Sequence, residues 1–311
     1  MKESSRRNAK PKEQGPLLPH SDFDGAFTEG TVFLEGDREY KMETEKLGTL
    51  VVPSGRIVVN DAAGGLLRAT PLERTVPPGK YPVTSCWNGN ATCAMKVRFS
   101  TRKAVRWEKA PGFGVDSGLA GFFDAEAARI AGNNENWHEQ LNTQQHSIKI
   151  DPVSGANMVW CFPAYGDGGY ACYWGLDRSD NVVSLVADFG VLVEAIYKEH
   201  VITELYEKVG SELEDPWFSQ FECTGVRMDW SKRKNEFRFE YRSAESLFSE
   251  VELLNGKGKR AGRGGGTGRQ GFLGDPNCLH EFTQVFNVSN DKKATLRIKA
   301  FVGLRALPRK S

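Results

Sequence analysis

A chain of 311 residues with 39% hydrophobic and 26% charged residues can bury a core of its own, which excludes a chain disordered throughout. Its formal net charge of +1 excludes the strongly basic balance of a dedicated nucleic-acid-binding domain. No run of about 18 apolar residues occurs, so no membrane-spanning helix is expected.

Lys, Arg, Glu and Pro dominate residues 1–21, which are expected to form a disordered, solvated tail. No apolar segment follows Arg6-Arg7, so no signal peptide is read and a cytoplasmic, reducing location is expected. The cysteines Cys86, Cys93, Cys161, Cys172, Cys223 and Cys278 fit that location. None forms the Cys-x-x-Cys pair of a structural zinc site, and they read as buried thiols acting as small hydrophobes.

Folded structure is expected from Phe23 onward. Leu50-Val51-Val52 and Ile57-Val58-Val59 are β-branched runs broken by Pro53-Ser54-Gly55, which predicts two short strands. Strands are expected over 81–87 and 92–99, joined by the hairpin dipeptide Asn88-Gly89, with a further strand at 104–107. Asp124 is a candidate N-cap for a helix over 125–131, and a second helix is read at about 136–144. Strands follow at 157–162, 170–176 and 182–188. Leu192, Ala195, Ile196 and Glu199 recur at helical spacing, which predicts a helix over 191–208. Beyond it, strands are expected at 225–230, 236–242, 282–288 and 294–302, the last two joined by a turn at Asn290-Asp291. The reading divides the chain into the tail, an α+β domain over 22–210, and a β-rich C-terminal region over 211–311. A flexible Gly/Arg/Lys-rich loop is expected at 256–271.

Several segments, in order, carry a family resemblance: 50–61 (LVVPSGRIVVND), 76–83 (VPPGKYPV), 105–108 (VRWE), 115–124 (VDSGLAGFFD), 165–170 (YGDGGY) and 185–189 (LVADF). Across about 47–195 the chain resembles DUF4241, a family defined only as a domain of unknown function. The resemblance implies a shared fold and supplies no catalytic or binding residues. Members usually read Asp-Pro where this chain has Asp61-Ala62.

The residues themselves offer a candidate site. Asp116-Ser117-Gly118, Asp124, Gly166-Asp167-Gly168 and Asp188-Phe189-Gly190 stand at predicted strand ends, with Asp61 at another. Aspartates on loops held by a sheet can converge on a hard cation such as Mg²⁺ or Ca²⁺, and Asp116, Asp124 and Asp167 are the candidate ligands. The same residues are standard turn formers that bond their own backbone. Asp116, Ser117, Asp124, Asp167, Tyr170 and Asp188 therefore make up the candidate site. The kinase-like Asp188-Phe189-Gly190 lacks the rest of that signature, and no Gly-x-Ser-x-Gly elbow occurs. Gly266 to Gly271 matches Gly-x-Gly-x-x-Gly without the strand and helix that a dinucleotide site needs. The basic residues of 256–271 could make a minor nucleic-acid contact. Tyr165, Tyr170, Tyr173 and Trp174 cluster around 166–169, as aromatics do at recognition surfaces and in β-rich cores.

The expected fold is α+β, a largely antiparallel sheet with a few helices and a β-rich C-terminal extension. With no complete catalytic signature, the expected function is a non-catalytic binding or interaction module with a protein partner and no membrane association. The alternative is a divalent-metal-dependent, hydrolase-like enzyme using the loop aspartates.

Overall fold

The structure is a computed structural model that describes residues 20–134, 137–141, 146–202, 216–219, 223–231, 236–243, 248–255, 257–260, 264–269, 280–287 and 294–307. Most described residues lie in strands, in several antiparallel sheets, and the helices are few and short. No helix among the described residues is long and apolar enough to cross a membrane. The chain divides into two compact units, His20–Glu194 with the segment from Leu304, and Ala195–Gly303.

The first unit runs α1 (Phe23–Ala26), β1 (Val32–Glu35), β2 (Arg38–Lys41), β3 (Glu43–Val52), β4 (Ile57–Asp61), β5 (Gly79–Trp87), β6 (Thr92–Arg98), β7 (Arg106–Val115), β8 (Ala120–Asp124), α2 (Ala125–Gly132), β9 (Ser147–Lys149), β10 (Asn157–Cys161), β11 (Gly168–Leu176) and β12 (Val182–Asp188). A six-stranded sheet has the order β3-β5-β6-β12-β11-β7 and a four-stranded sheet the order β4-β8-β10-β9. β5 and β6 pair antiparallel across the predicted hairpin, where Gly89 has φ +84°. β11 and β12 pair likewise across Arg178–Asn181.

β3 and β4 are consecutive but enter different sheets. The turn between them is fixed by Gly55 at φ +70°, where a Cβ would lie 2.7 Å from the Val76 carbonyl oxygen. Leu50, Val52, Val83, Val97, Trp174 and Leu185 of the larger sheet meet Ile57, Val59, Phe122 and Val159 of the smaller in one apolar core. Each large side chain buried there contributes about 1.5–3 kcal/mol. Asn157 also ties the sheets together. Its Oδ1 accepts the Val51 N–H at 2.7 Å and its Nδ2 donates to the Thr49 carbonyl at 2.7 Å, as a strand's peptide group would. The far face of the smaller sheet (Val58, Phe123, Met158, Trp160) is covered by α2, by the 3-10 turn Leu66–Arg68 and by Trp137. The far face of the larger sheet is covered by Phe23, Phe33, Met42 and Leu304.

The second unit contains β13 (Val193–Ile202, from Ala195), α3 (Pro216–Ser219), β14 (Thr224–Ser231), β15 (Glu236–Ser243), β16 (Phe248–Asn255), β17 (Gly264–Arg269), β18 (His280–Asn287) and β19 (Ala294–Gly303). Its sheets have the orders β13-β19-β16 and β14-β15-β18-β17. Phe237, Phe239, Tyr241 and Phe286 of one pack with Val251, Leu253, Leu296 and Ile298 of the other.

Several expectations are corrected. The segment read as a helix over 191–208 is strand β13 as far as Ile202, and 203–208 lies outside the described residues. Val193, Ile196, Tyr197, Val201 and Ile202 are β-branched or aromatic and favour a strand, while helical spacing arises by chance in so short a window. Of the second helix, Trp137–Gln140 is a 3-10 turn, and 135–136 and 142–145 lie outside the described residues. The Asn290-Asp291 turn also lies outside them, and the flanking β18 and β19 belong to different sheets rather than to one hairpin. Of the expected tail, 1–19 lies outside the described residues, whereas Ser21 is buried. Within the Gly/Arg/Lys-rich segment, Gly264–Arg269 pairs with β18, and 256, 261–263 and 270–271 lie outside the described residues.

Candidate functional site

Three loops of the first unit meet at one end of its sheets, and a carboxylate organises two of them from inside. Asp61 ends β4 and is buried. Its Oδ1 accepts the N–H groups of Ala63 at 2.7 Å and Gly64 at 3.0 Å and the Ser117 hydroxyl at 2.5 Å. Its Oδ2 accepts the N–H groups of Asp116 at 2.6 Å and Ser117 at 2.8 Å. One side chain thus shapes its own turn and fixes the β7–β8 loop. Ala62 adds an N–H to the Leu119 carbonyl at 2.8 Å, a bond that proline at this position could not make.

The third loop joins β10 to β11. Tyr170 is buried with its ring edge-on to Phe189, and its hydroxyl donates to the Gly166 carbonyl at 2.8 Å. Burial first, then the nearby Asp167, pushes the Tyr170 phenol pKa up. Val115 and Gly168 are register partners, so Asp116 and Asp167, the next residue on each strand, leave the sheet side by side. Asp116, Ser117 and Asp167 are exposed. Tyr165 is 67% exposed and Phe162, just past the end of β10, is 46% exposed.

Asp124 is elsewhere. β8 runs from Ala120, the register partner of Asp61, to Asp124, about 13 Å along the strand. The Asp124 carboxylate is fully buried, accepting the Glu126 N–H at 2.8 Å as N-cap of α2 and the Ser54 N–H and hydroxyl at 3.0 and 2.6 Å. It caps the helix and anchors the β3–β4 turn. The three aspartates considered as metal ligands are therefore not gathered. Among the described residues no group of three or more His, Cys, Asp or Glu is placed to hold a metal ion.

Asp188 sits at the same end of the larger sheet but on its other face, under residues 20–42. It accepts the Gly190 N–H at 3.0 Å and a bond from the Ser21 backbone, and burial pushes its pKa up to about 6. His20 stacks on Phe23 with ring centres 4.8 Å apart and lies 5.0 Å from the Tyr173 ring; burial lowers its pKa. On the same side Lys96 holds its Nζ 4.0 Å from the centre of the Phe27 ring, and burial lowers its pKa to about 8. Sequence reasoning missed Lys96, although a lysine inside the apolar run Cys93-Ala94-Met95-Lys96-Val97 is itself a signal. Cys161 and Cys172 are buried with pKa values pushed well up by desolvation, the opposite of an activated thiol.

The fold and loop end define a mostly β, two-sheet unit with a pre-arranged acidic and aromatic rim. Residues 50–187 of this unit match the family described as protein of unknown function, DUF4241, within the stretch whose segments carry the resemblance. No curated protein and no solved structure matches the chain.

Proposed function

We propose that the chain is a non-catalytic interaction module whose contact surface in the first unit is the loop end bearing Asp116, Ser117, Tyr165 and Asp167. The observation that carries this reading is the division of roles among the carboxylates. Asp61 is turned inward to hold its own turn and the β7–β8 loop, while Asp116 on that loop and Asp167 on the neighbouring β10–β11 loop are exposed, the latter on a loop that also carries the exposed Tyr165. A frame already ordered loses little conformational freedom on binding. Tyrosine offers a large amphipathic contact at low entropic cost.

The test places a photo-activatable phenylalanine derivative at position 165 of the full chain, irradiates cells, and compares the adducts with those from position 153. Val153 is also exposed but lies in the loop entering the opposite end of β10. A discrete adduct at 165, absent at 153 and lost when Asp167→Lys reverses the local charge, supports the reading. No adduct at 165, or the same adducts from both positions, defeats it.

A further inference from the structure

The second unit carries a surface of different chemistry. Along β19, Ala294, Leu296, Ile298, Ala300 and Val302 are buried, while Thr295, Arg297, Lys299 and Phe301 alternate with them. These four share the outer face of the three-stranded sheet, at intervals of about 6.6 Å. Phe301 is 46% exposed, and Tyr197 on the adjacent β13 is 56% exposed. Each ring has a cation over it: the Arg297 guanidinium lies 5.7 Å from the Tyr197 ring centre and the Lys299 ammonium 5.4 Å from that of Phe301.

A basic turn borders this face. Asn255 Oδ1 accepts the N–H groups of both Lys257 and Lys259 at 3.0 Å, and the Asn255 N–H donates to the Lys259 carbonyl at 2.8 Å. Lys257, Lys259 and Arg260 are exposed on it. Glu252 is buried between the guanidiniums of Arg260 and Arg297, which pins the turn to the sheet and sets two positive charges against one negative. Lys257, Lys259, Arg260, Arg297 and Lys299 together outnumber Glu199 and Glu252, with Glu250 opposite Lys299 in the register.

We propose that this face binds single-stranded nucleic acid, with bases stacking on Tyr197 and Phe301 and phosphates meeting Arg297, Lys299 and the 257–260 turn. Aromatic platforms interleaved with cations are the chemistry that takes a single strand, because every base offers a π-face and the backbone a regular line of charge. A duplex hides those faces inside its stack, so the exposed rings select the single strand. The inference is independent of the loop-end reading, which concerns other residues of the first unit.

The test is fluorescence anisotropy of the full-length protein with labelled oligo(dT) and oligo(U) of about 15 nucleotides, near the upper end of a single-strand site. Binding is expected to weaken as salt rises. Tyr197→Ala and Phe301→Ala are each expected to weaken it about five-fold or more, given the strength of base stacking. Phe301→Trp keeps a stacking ring and is expected to retain affinity. Lys257→Gln with Lys259→Gln should flatten the salt dependence. The variants alter exposed side chains, so an unchanged melting midpoint confirms that each is folded. No binding, an affinity that both ring variants leave unchanged, or equal affinity for a duplex of the same length overturns the proposal.

Discussion

Asp61 grips Ser117 twice, taking its backbone N–H at 2.8 Å and its hydroxyl at 2.5 Å across 56 residues of chain. The same carboxylate holds the Asp116 N–H, so the β7–β8 loop depends on a side chain from β4. Asp61→Ala leaves several N–H donors without their acceptor and is expected to destabilise the first unit by about 3–5 kcal/mol. Ser117→Ala removes one hydroxyl bond and is expected to cost about 1 kcal/mol. Urea unfolding of both variants and of the double variant checks the pair. In the cycle, the loss from Ser117→Ala should nearly vanish once Asp61 is gone. Additive losses would mean that the two residues act independently.

Asp188 makes the stability of the first unit depend on pH. Its folded pKa of about 6 lies above its ordinary value of 3.8 because burial disfavours the charged form. A raised folded pKa contributes stability that is fully present below the ordinary value and lost as pH rises through about 6. The span corresponds to about 3 kcal/mol. The thiols of Cys86 and Cys93 lie on the carboxylate's side of the sheet and that of Cys172 on the other, and burial keeps all three protonated over this range. His20 works in the opposite sense, since its lowered pKa favours the fold once the ring is neutral, at pH above about 6.5. Comparing Asp188→Asn with the parent at each pH cancels that contribution. The variant is expected to gain on the parent steadily from pH 4 to pH 7, and a pH-independent difference would sink the assignment.

The elements that were legible in the sequence are those whose signals are local. Asn88-Gly89 between two alternating runs marks a hairpin, and β5 and β6 form it, although through the four-residue connection Asn88–Ala91 with only Gly89 at positive φ rather than through a two-residue turn. Asp124 announces its helix within two residues, through its bond to the Glu126 N–H. What was not legible depends on distant partners. Nothing near Asp61 says that its carboxylate will meet a loop more than fifty residues on. Nothing around Pro53-Ser54-Gly55 says that β3 and β4 part into different sheets. The Val193–Ile202 segment satisfies helix spacing and strand composition at once, and pairing with β19 decides it.

Asp124 separates a cap from a catalytic or metal-binding carboxylate. Asp124→Ala removes acceptors for the Glu126 N–H and for the Ser54 N–H and hydroxyl, all in a fully buried place, and is expected to cost about 2–4 kcal/mol. Asp124→Asn keeps an oxygen for the helix cap and is expected to recover part of that loss. Equilibrium unfolding of the two variants tests this. Equal stability of Asp124→Ala and the parent would contradict the capping role.

Asp167 tests the metal-dependent alternative from the exposed side. A cation bound only by the native fold raises the melting midpoint by mass action. Asp116 and Asp167 stand side by side, but Asp124 is about 13 Å along β8 from that corner and wholly engaged with Ser54 and Glu126. Two exposed carboxylates alone give a weak site for a hard cation, which prefers six or more oxygens. The midpoint is therefore expected to be the same in EDTA and in millimolar Mg²⁺, Ca²⁺, Mn²⁺ or Zn²⁺. Asp167→Asn is expected to change stability by less than about 0.5 kcal/mol, as exposed substitutions do. A metal-specific rise in the midpoint that Asp167→Asn abolishes would reverse the argument. It would show that a cation completes its shell with backbone oxygens at the loop end and would restore the hydrolase-like reading.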